Sequence, residues 1–315
     1  MRSLVLVPVL VGTVLAIMMT TTARATAAAP LSLRVLTFNI RYAAAGSKYE
    51  RPWSVRGPLV IERVVEAAAQ ATAAGAVPVV GMQEVLHAQL LDIAAGLGSE
   101  WEFIGTGRDD GKEAGEYCPI FYRPDRVTLL ATTQKWLSPT PDVPSFWPGA
   151  GSRRYVLVAV FEEVGTTGRR RFVVANTHLD NASSEARSEG VRIALRVIRD
   201  VQTAWEPDLP VVLTGDFNSE PGEDAYEGMV SDGYLRDAYA LAEGSARFGP
   251  YETYTGFVPE EIPDVSGRID FLWLGPDAAA APWHVARYEV LDNVVGDVYI
   301  SDHRPVFGDI ALNAA

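Results

Sequence analysis

The chain has 315 residues and an acidic composition, with 40 aspartate and glutamate residues against 27 lysine and arginine residues and a formal net charge of −13. An acidic surface repels polyanions, so long nucleic acid is disfavoured as the main substrate unless a basic patch is set aside for it. The single cysteine, Cys118, excludes an internal disulfide and a zinc site built from several cysteines. Its place at the start of an apolar strand indicates a buried residue.

Residues 1–29 have the features of a secretory signal peptide. A positive start at Met1–Arg2 precedes an apolar stretch from Leu4 to Met19 and a small-residue segment that ends at Ala29. Because the apolar stretch is short for a membrane span, cleavage and secretion are favoured over the alternative of an uncleaved anchor. Residues 30–315 contain no second hydrophobic span and no interdomain linker, and they predict a single domain that acts as a monomer.

Short strands dominate the elements predicted after residue 30. In chain order, the apolar and alternating runs predict strands at about 33–39, 78–83, 102–106, 118–123, 126–131, 154–163, 170–178, 210–215, 268–274, 285–291 and 304–312. Helical periodicity appears at 58–74, 88–95 and 184–205. The Pro- and Gly-rich stretch 138–151 predicts a loop, and 165–168 a hairpin turn. Strands and helices alternate, but the hairpins are too many for a simple parallel sheet, which favours two sheets in an α/β sandwich.

Polar side chains that can carry chemistry stand at the ends of five of these strands. In chain order they are Asn39, Glu84, His178 followed by Asp180, Asp216 followed by Asn218, and Asp302 followed by His303. Side chains two residues apart on a strand point to the same side, so Asp216 and Asn218 would be delivered together. Carboxylates, amides and imidazoles at strand ends are the groups needed to hydrolyse a phosphate ester with a hard divalent metal.

Each of these phrases also has an ordinary structural interpretation as a strand terminus with a polar cap. Glu84, for example, could complement the dipole of the helix that follows it. Five such phrases in one chain favour a functional site. His87 and His284 belong to no motif and are predicted to lie on the surface.

The phrases Leu-Thr-Gly-Asp216-Phe-Asn218 and Ser-Asp302-His303-Arg-Pro, with Arg-Ile-Asp270-Phe-Leu before the second, resemble the endonuclease/exonuclease/phosphatase superfamily. The resemblance extends from Asn39 to Pro305. It implies an α/β fold with four layers, in which two mixed β-sheets pack face to face with helices outside. It also implies a metal-dependent hydrolase that acts on phosphate ester bonds.

The resemblance implies a metal site for Mg²⁺ or Mn²⁺. Glu84 ends a buried strand and is the first choice as metal ligand, and the family pattern places Asn39 and Asp302 beside it. A divalent cation held there would offset the negative charge of the phosphate that the nucleophile must approach.

The resemblance also implies the groups that act on the substrate. Asp216 would orient or deprotonate the attacking water, and Asn218 would hold that water or a phosphoryl oxygen. His303 would stabilise the charge that develops in the transition state, while Asp270 accepts a hydrogen bond from its other ring nitrogen. His178 would be a second donor to the phosphate or to the leaving group.

Substrate contacts outside the motifs are less well marked. The candidates are Arg41, Arg154, Tyr254 and Asp180, with Trp53 and Arg56 as further residues that could line the pocket. Each has the alternative of an ordinary core or surface residue.

Three functions remain open at the level of sequence. The first is a secreted phosphoesterase that acts on a small molecule or a lipid headgroup, as a phosphodiester or a phosphomonoester. The second is a secreted nuclease, endonuclease or 3′–5′ exonuclease, which would need a basic groove. The third is a non-catalytic binding protein, which is disfavoured because every motif residue is present. A serine hydrolase is disfavoured because the chain has no Gly-x-Ser-x-Gly elbow.

Overall fold

The computed structural model describes residues 30–44, 46–165, 169–258, 267–276 and 283–312. The predicted signal peptide and the tip of the predicted turn at 165–168 lie outside the described residues. Within the described ranges, no helix is both long enough and apolar enough to cross a membrane.

The described residues alternate between strands and helices. The strands are β1 (Leu31–Asn39), β2 (Val77–Gln83), β3 (Glu102–Ile104), β4 (Ile120–Tyr122), β5 (Val127–Trp136), β6 (Tyr155–Glu163), β7 (Arg171–His178), β8 (Val211–Asp216), β9 (Arg236–Asp237), β10 (Arg247–Phe248), β11 (Asp270–Gly275), β12 (Trp283–Val290), β13 (Val294–Val295), β14 (Val298–Tyr299) and β15 (Val306–Leu312). The helices are α1 (Trp53–Ala73), α2 (His87–Leu97), α3 (Ser184–Trp205), α4 (Asp224–Asp232) and α5 (Ala238–Leu241), with a 3-10 turn at Gly244–Ala246.

The long strands form two mixed sheets. The order in the first is β10-β12-β15-β1-β2-β4-β3, and the order in the second is β5-β6-β7-β8-β11-β9. Most neighbours are antiparallel, but β10 runs parallel to β12 at one edge, and β1 runs parallel to β2 and β7 runs parallel to β8 at the centres of the two sheets. Because parallel strands end at the same edge of a sheet, each sheet brings two strand ends together there.

Three apolar cores separate four layers. One core fills the space between the sheets, a second packs α3 and α4 against the outer face of the second sheet, and a third packs α1 and α2 against the first sheet. The order of layers is therefore helices, sheet, sheet, helices. The predicted four-layer α/β sandwich of two mixed sheets is confirmed.

The alternation of β1 shows how the sequence produces this packing. Leu33 and Val35 belong to the core between the sheets, whereas Leu36 and Phe38 belong to the core under α1 and α2. Since side chains alternate across a strand, Asn39 continues the face that carries Leu33 and Val35. The strand therefore ends with a polar side chain on the inner side of the sandwich.

Several predicted boundaries differ from those observed. α1 begins at Trp53, with Pro58 inside the helix instead of at its start. β5 continues to Trp136, beyond the predicted end at 131, because a bulge between Leu129 and Ala131 shifts its register and interrupts the alternation. The short helix α4, which buries Ala225 and Met229 one turn apart, was not predicted.

Candidate active site

Polar side chains replace the apolar core at one end of the space between the sheets. On β8, the side chains of Val212, Thr214 and Asp216 all lie on the inner face of the sheet. Val212 belongs to the apolar core, and Asp216 ends the strand with a buried carboxylate. β7 ends in the same way with His178, which pairs in register with Asp216 of β8. The inner-face residues of both sheets therefore meet at a buried polar cluster.

The two sheets approach each other closely next to this cluster, on its core side. Gln83 of the first sheet donates from Nε2 to Asn176 Oδ1 of the second sheet at 2.8 Å, and Thr214 Oγ1 donates to the same oxygen at 3.0 Å. A Cβ atom added at Gly81 would lie 2.3 Å from Thr214 Oγ1. Gly81 therefore permits the separation of the sheets at which Asn39 and Asp216, from different sheets, touch.

Asp216 is the centre of the cluster. Asn39 Nδ2 donates to its Oδ2 at 2.9 Å, and the backbone N–H of Asn218 donates to its Oδ1 at 2.9 Å. Burial raises the pKa of Asp216 to about 7, and the charge of Asp270 adds to that rise, while His303 and the two hydrogen bonds oppose it. A divalent cation nearby would favour the ionised form, which is the form that can accept a proton.

His303 and Asp270 form a buried pair beside Asp216. The Nδ1 atom of His303 lies 2.8 Å from Asp270 Oδ2, and its Nε2 lies 3.7 Å from Asp216 Oδ2. Burial lowers the pKa of His303, but the charges of Asp270 and Asp216 outweigh it and raise the pKa to about 10. Thr253 Oγ1 accepts from the backbone N–H of Asp270 at 3.0 Å and fixes the position of that carboxylate. Asp270 therefore orients the ring of His303 and favours its imidazolium form.

His178 differs from His303 in its charge. Burial lowers the pKa of His178 well below its usual value, and the charges of Arg154 and Arg108 add to the effect. Asn218 Nδ2 lies 3.0 Å from His178 Nε2 and also donates to a backbone carbonyl. An amide N–H₂ group can only donate, so the Nε2 atom of a neutral His178 accepts and the proton resides on Nδ1.

Glu84, Asn39 and Asp302 fit a hard divalent cation. Asn39 Nδ2 donates to Glu84 Oε1 at 3.1 Å, which holds the two side chains together. Burial raises the pKa of Asp302, and the negative charge of Glu84 is a further cause. The closest cationic group to Glu84 is Arg41, whose Nη1 lies 3.9 Å from Oε2. The partly exposed carboxylate of Glu84, the buried carboxylate of Asp302 and an amide oxygen are the kinds of hard oxygen ligand that Mg²⁺ prefers.

A second cluster, formed by Asp216, Asp270 and His303, has one possible ligand atom from each residue within 4.8 Å of the others. The raised pKa of His303 favours its protonated form, and its Nδ1 is bonded to Asp270. An imidazolium has no lone pair to offer a metal, so this cluster fits proton transfer and anion binding better.

The backbone is strained at three site residues. Arg41, Glu84 and Asn218 have φ values of 58°, 60° and 47°. Non-glycine residues in this left-handed region are uncommon, and such strain is often found at functional sites. At Glu84, the side-chain Oε2 accepts from the backbone N–H of Tyr42 at 3.1 Å, which ties the strained strand end to the loop after β1.

These groups line one cavity of about 480 Å³. Of the predicted site residues, it is lined by Arg41, Glu84, Arg154, His178, Asp216, Asn218, Tyr254, Asp302 and His303. Asn39 and Asp270 lie beneath it and are fully buried. The ring of Tyr254 lies 4.9 Å from that of His303, measured between centroids.

Three other predicted pocket residues have structural positions instead. Asp180 does not line the cavity, because its carboxylate accepts from the backbone N–H groups of the loops at 151–152 and 182–183. The guanidinium of Arg56 is fully buried and donates to the carbonyls of Ile40 and Ile300, behind the site. Trp53 donates from its indole N–H to Asp92 at 2.9 Å. All three hold the surroundings of the cavity in place.

The structure also adds residues that were not predicted. They are Tyr42, Arg108, Glu116, Ser152, Asn181 and Ile269, which complete the lining of the cavity. For Arg108 and Glu116, the available signal was the glycine-punctuated segment 107–116, which lies between the predicted strands 102–106 and 118–123.

The remaining single-residue predictions have mixed outcomes. Cys118 is buried as expected, and burial raises the pKa of its thiol to about 12, which is unsuited to a nucleophile. His284 is exposed as predicted. His87 is half-buried and lies 2.9 Å from the Tyr117 hydroxyl, so the surface prediction was only partly correct.

Comparisons with known proteins identify relatives of this chain and of its fold. Residues 36–303 match the model of the Endonuclease/Exonuclease/phosphatase family. A crystal structure of an endonuclease/exonuclease/phosphatase from Bacteroides vulgatus is 33% identical, with a TM-score of 0.76, and the match covers 90% of this chain and 99% of that one. A mannosyl-6-phosphatase from Bacteroides thetaiotaomicron is 30% identical, with a TM-score of 0.75 and coverage of 89% and 99%.

More distant structures share the fold. The catalytic domain of human nocturnin, solved with bound sulfate, is 20% identical with a TM-score of 0.66, and the match covers 91% of this chain and 96% of that one. No curated protein matches the chain significantly by sequence.

Proposed function

The chain belongs to the endonuclease/exonuclease/phosphatase family, and we propose that it is a divalent-metal-dependent phosphoesterase that hydrolyses a small phosphate ester outside the cytoplasm. The observation that carries this proposal is the contact between Asp216 and the His303–Asp270 pair, in a cavity shared with the carboxylates of Glu84 and Asp302. A base, an oriented cation and a set of hard oxygen ligands then surround one reacting centre.

The proposed reaction begins with a water molecule beside Asp216. In its ionised form Asp216 accepts a proton from this water as the oxygen attacks phosphorus, and Asn218, fixed beside it, holds the water or a phosphoryl oxygen. The bond from phosphorus to the leaving oxygen breaks, its electron pair stays on that oxygen, and the oxygen takes up a proton from solvent or the one that Asp216 accepted. His303, held as an imidazolium by Asp270, donates a hydrogen bond to the oxygens on which negative charge develops.

Glu84, Asn39 and Asp302 would hold the metal, which we propose is Mg²⁺ or Mn²⁺. When bound, such a cation offsets the charge of the phosphate and polarises its P–O bonds. Arg41, which lies near Glu84 and Glu50, adds a positive charge at the same side of the cavity. Together these residues would make an otherwise anionic pocket able to receive a dianionic phosphate.

A small ester suits the cavity better than a polymer. Its volume is about 480 Å³, and its charged lining includes four carboxylates as well as three arginines. The net charge of −13 would repel a long polyanion. The 30% identity with a mannosyl-6-phosphatase further supports a phosphomonoester. Secretion is proposed on the apolar segment near the start of the chain, and N-terminal sequencing of protein recovered from the culture medium would test it.

Hydrolysis of p-nitrophenyl phosphate and bis(p-nitrophenyl) phosphate by the purified protein tests the proposal. We expect release of p-nitrophenol with Mg²⁺ or Mn²⁺ and none with EDTA, with the monoester preferred. Asp216→Asn serves as the inactive variant, and Asp125→Asn, which changes an exposed carboxylate far from the motifs, is the matched control. Salt-sensitive cleavage of DNA at a higher rate than either ester would favour the nuclease instead.

A further inference from the structure

We propose that Arg108, Glu116 and Arg154 form a subsite for the leaving group and that it takes a polyhydroxylated group such as a sugar. This polar wall, as we call these three residues, lines the same cavity as Asp216. The proposal rests on the proposed function and names the substrate class for it.

His178 lies between the polar wall and Asp216. Its Nε2 atom lies 3.4 Å from Asp216 Oδ2, and its Nδ1 atom lies 4.0 Å from Glu116 Oε2. The two ring nitrogens face different neighbours, so Glu116 lies on the other side of the imidazole from Asp216. A phosphate attacked by a water at Asp216 would therefore have room for its leaving group along the polar wall.

The loop that carries two residues of the polar wall, Arg108 and Glu116, is held by its own backbone. Arg108 and Glu116 face each other across a hydrogen bond from Arg108 N to Glu116 O at 3.0 Å. The next residue, Tyr117, exchanges backbone hydrogen bonds with Val85, at 2.7 and 3.3 Å. Since Val85 directly follows Glu84, the loop has a fixed position relative to the proposed metal ligand. A preorganised wall loses little entropy when a ligand binds.

Arg108 and Glu116 present both donors and an acceptor to the cavity. Arg108 Nη1 donates to Glu116 Oε2 at 2.7 Å, and Arg108 Nη2 donates to Ser152 Oγ at 3.3 Å. The side chains are 15% and 14% exposed, so the pair remains accessible at the edge of the cavity. Burial raises the pKa of Glu116, while Arg108 opposes the rise.

Arg154 supplies further donors that the protein does not use. Its side chain is 7% exposed, and its Nη2 donates to Asn181 Oδ1 at 3.2 Å. The Nη1 atom of Arg154 has no hydrogen-bond partner among the described residues, and the same is true of His178 Nδ1 and Arg108 Nε. Buried donors without partners are rare in native proteins and often mark a ligand site.

The mixture of donors and an acceptor favours hydroxyl groups over other leaving groups. A hydroxyl both donates and accepts, so it can pair with an arginine and with Glu116 at once. An alkyl or aryl group would leave the donors of Arg154 unpaired. A site built to bond hydroxyl groups rejects analogues that lack them much more strongly than an apolar pocket rejects a small change in size.

The first experiment compares turnover of hexose 6-phosphates, n-hexyl phosphate and p-nitrophenyl phosphate. We expect the wild-type protein to prefer a hexose 6-phosphate to n-hexyl phosphate in kcat/KM by at least about 10-fold. In Glu116→Gln, a neutral amide oxygen replaces the charged acceptor, so the ratio of kcat/KM for the hexose phosphate to that for p-nitrophenyl phosphate should fall by about 10-fold. Glu113→Gln changes an exposed residue of the same loop and is the matched control.

A second experiment does not depend on turnover. Calorimetric titration of Asp216→Asn with hexose 6-phosphate and with inorganic phosphate gives the affinity for each ligand. The difference between the two affinities is the contribution of the sugar. We expect the hexose phosphate to bind at least about 10-fold more tightly, and to lose that advantage when Glu116→Gln is added.

Equal affinity for hexose phosphate and inorganic phosphate, or an equal loss for all esters in Glu116→Gln, would overturn the polar wall as a sugar subsite. Absence of metal-dependent hydrolysis of every ester would instead refute the proposed function, and the titration would still decide whether the wall recognises a sugar.

Discussion

Replacing Asp270 with asparagine tests the link between the buried ion pair and the reaction. Asp270 Oδ2 lies 2.8 Å from His303 Nδ1, and its charge is the largest cause that raises the pKa of His303. An asparagine oxygen can still accept from Nδ1, so the orientation of the imidazole is retained while the charge is removed. The backbone of residue 270 is held by Thr253 and does not depend on the carboxylate.

The expected effect follows from the change in protonation. The pKa of His303 is raised to about 10, so the wild-type imidazole is almost fully protonated at pH 8. Without the charge of Asp270, burial still lowers the pKa of His303 and Asp216 still raises it, so we expect the pKa to fall towards its ordinary range. An imidazole with the ordinary pKa of about 6.5 is only about 3% protonated at pH 8, so kcat/KM should fall by up to about 30-fold at that pH, with a smaller loss at pH 6.

The assay is the pH profile of kcat/KM for p-nitrophenyl phosphate between pH 6 and 10, at saturating Mg²⁺. On the basic side, the wild-type profile should lose activity only as pH approaches 10, whereas that of Asp270→Asn should fall at a lower pH. Asp125→Asn, in an exposed surface pair, is expected to follow the wild type. A loss in Asp270→Asn that is equal at every pH, with an unchanged basic limb, would refute the proposed role of the pair.

Three further predictions concern the metal, the base and the framework. Asp216→Asn should lower kcat by at least about 10²-fold. The variant should also be more stable than the wild type in EDTA at pH 8, and it should unfold at a higher denaturant concentration. The reason is that the pKa of Asp216 is about 7 in the folded protein but 3.8 in the unfolded chain, so the wild type loses stability as pH rises above 3.8. Glu84→Gln should raise the Mg²⁺ concentration for half-maximal activity by about 10- to 100-fold, with exposed Glu100→Gln as control. Arg56→Met should lower the free energy of unfolding by about 3 kcal/mol, measured in urea, because buried carbonyls lose their donor.

The residues at strand ends were predictable because strand geometry is regular. A side chain alternates between two faces, so a polar residue that continues an apolar inner face, such as Asn39 or Asp216, must stand at the rim of the core. The parallel pairs β1–β2 and β7–β8 then bring their ends to the same edge. The composition of the polar cluster could therefore be read from the sequence, although the 2.9 Å contact between Asn39 and Asp216 requires both sheets.

The polar wall was not predictable in the same way. Arg108 and Glu116 lie in a loop whose shape depends on backbone contacts with Val85, more than twenty residues earlier in the chain. Arg56 was predicted to line the pocket and does not. It donates to backbone carbonyls, and no local sequence pattern could have indicated these contacts. Loop residues take their positions from contacts distant in sequence, and a periodic pattern carries no information about these.

The sheets and the loops would serve different parts of the reaction. The groups that would activate water and bind metal are fixed by strands of the two sheets, whose spacing is set by the close approach at Gly81. The groups that would meet the leaving group are fixed by the loop that carries Arg108 and Glu116 and by the turn at Ser152. Substitutions in that loop can alter the substrate without moving Asp216 or His303, whereas a larger residue at Gly81 would separate Asn39 from Asp216 and reduce turnover of every ester.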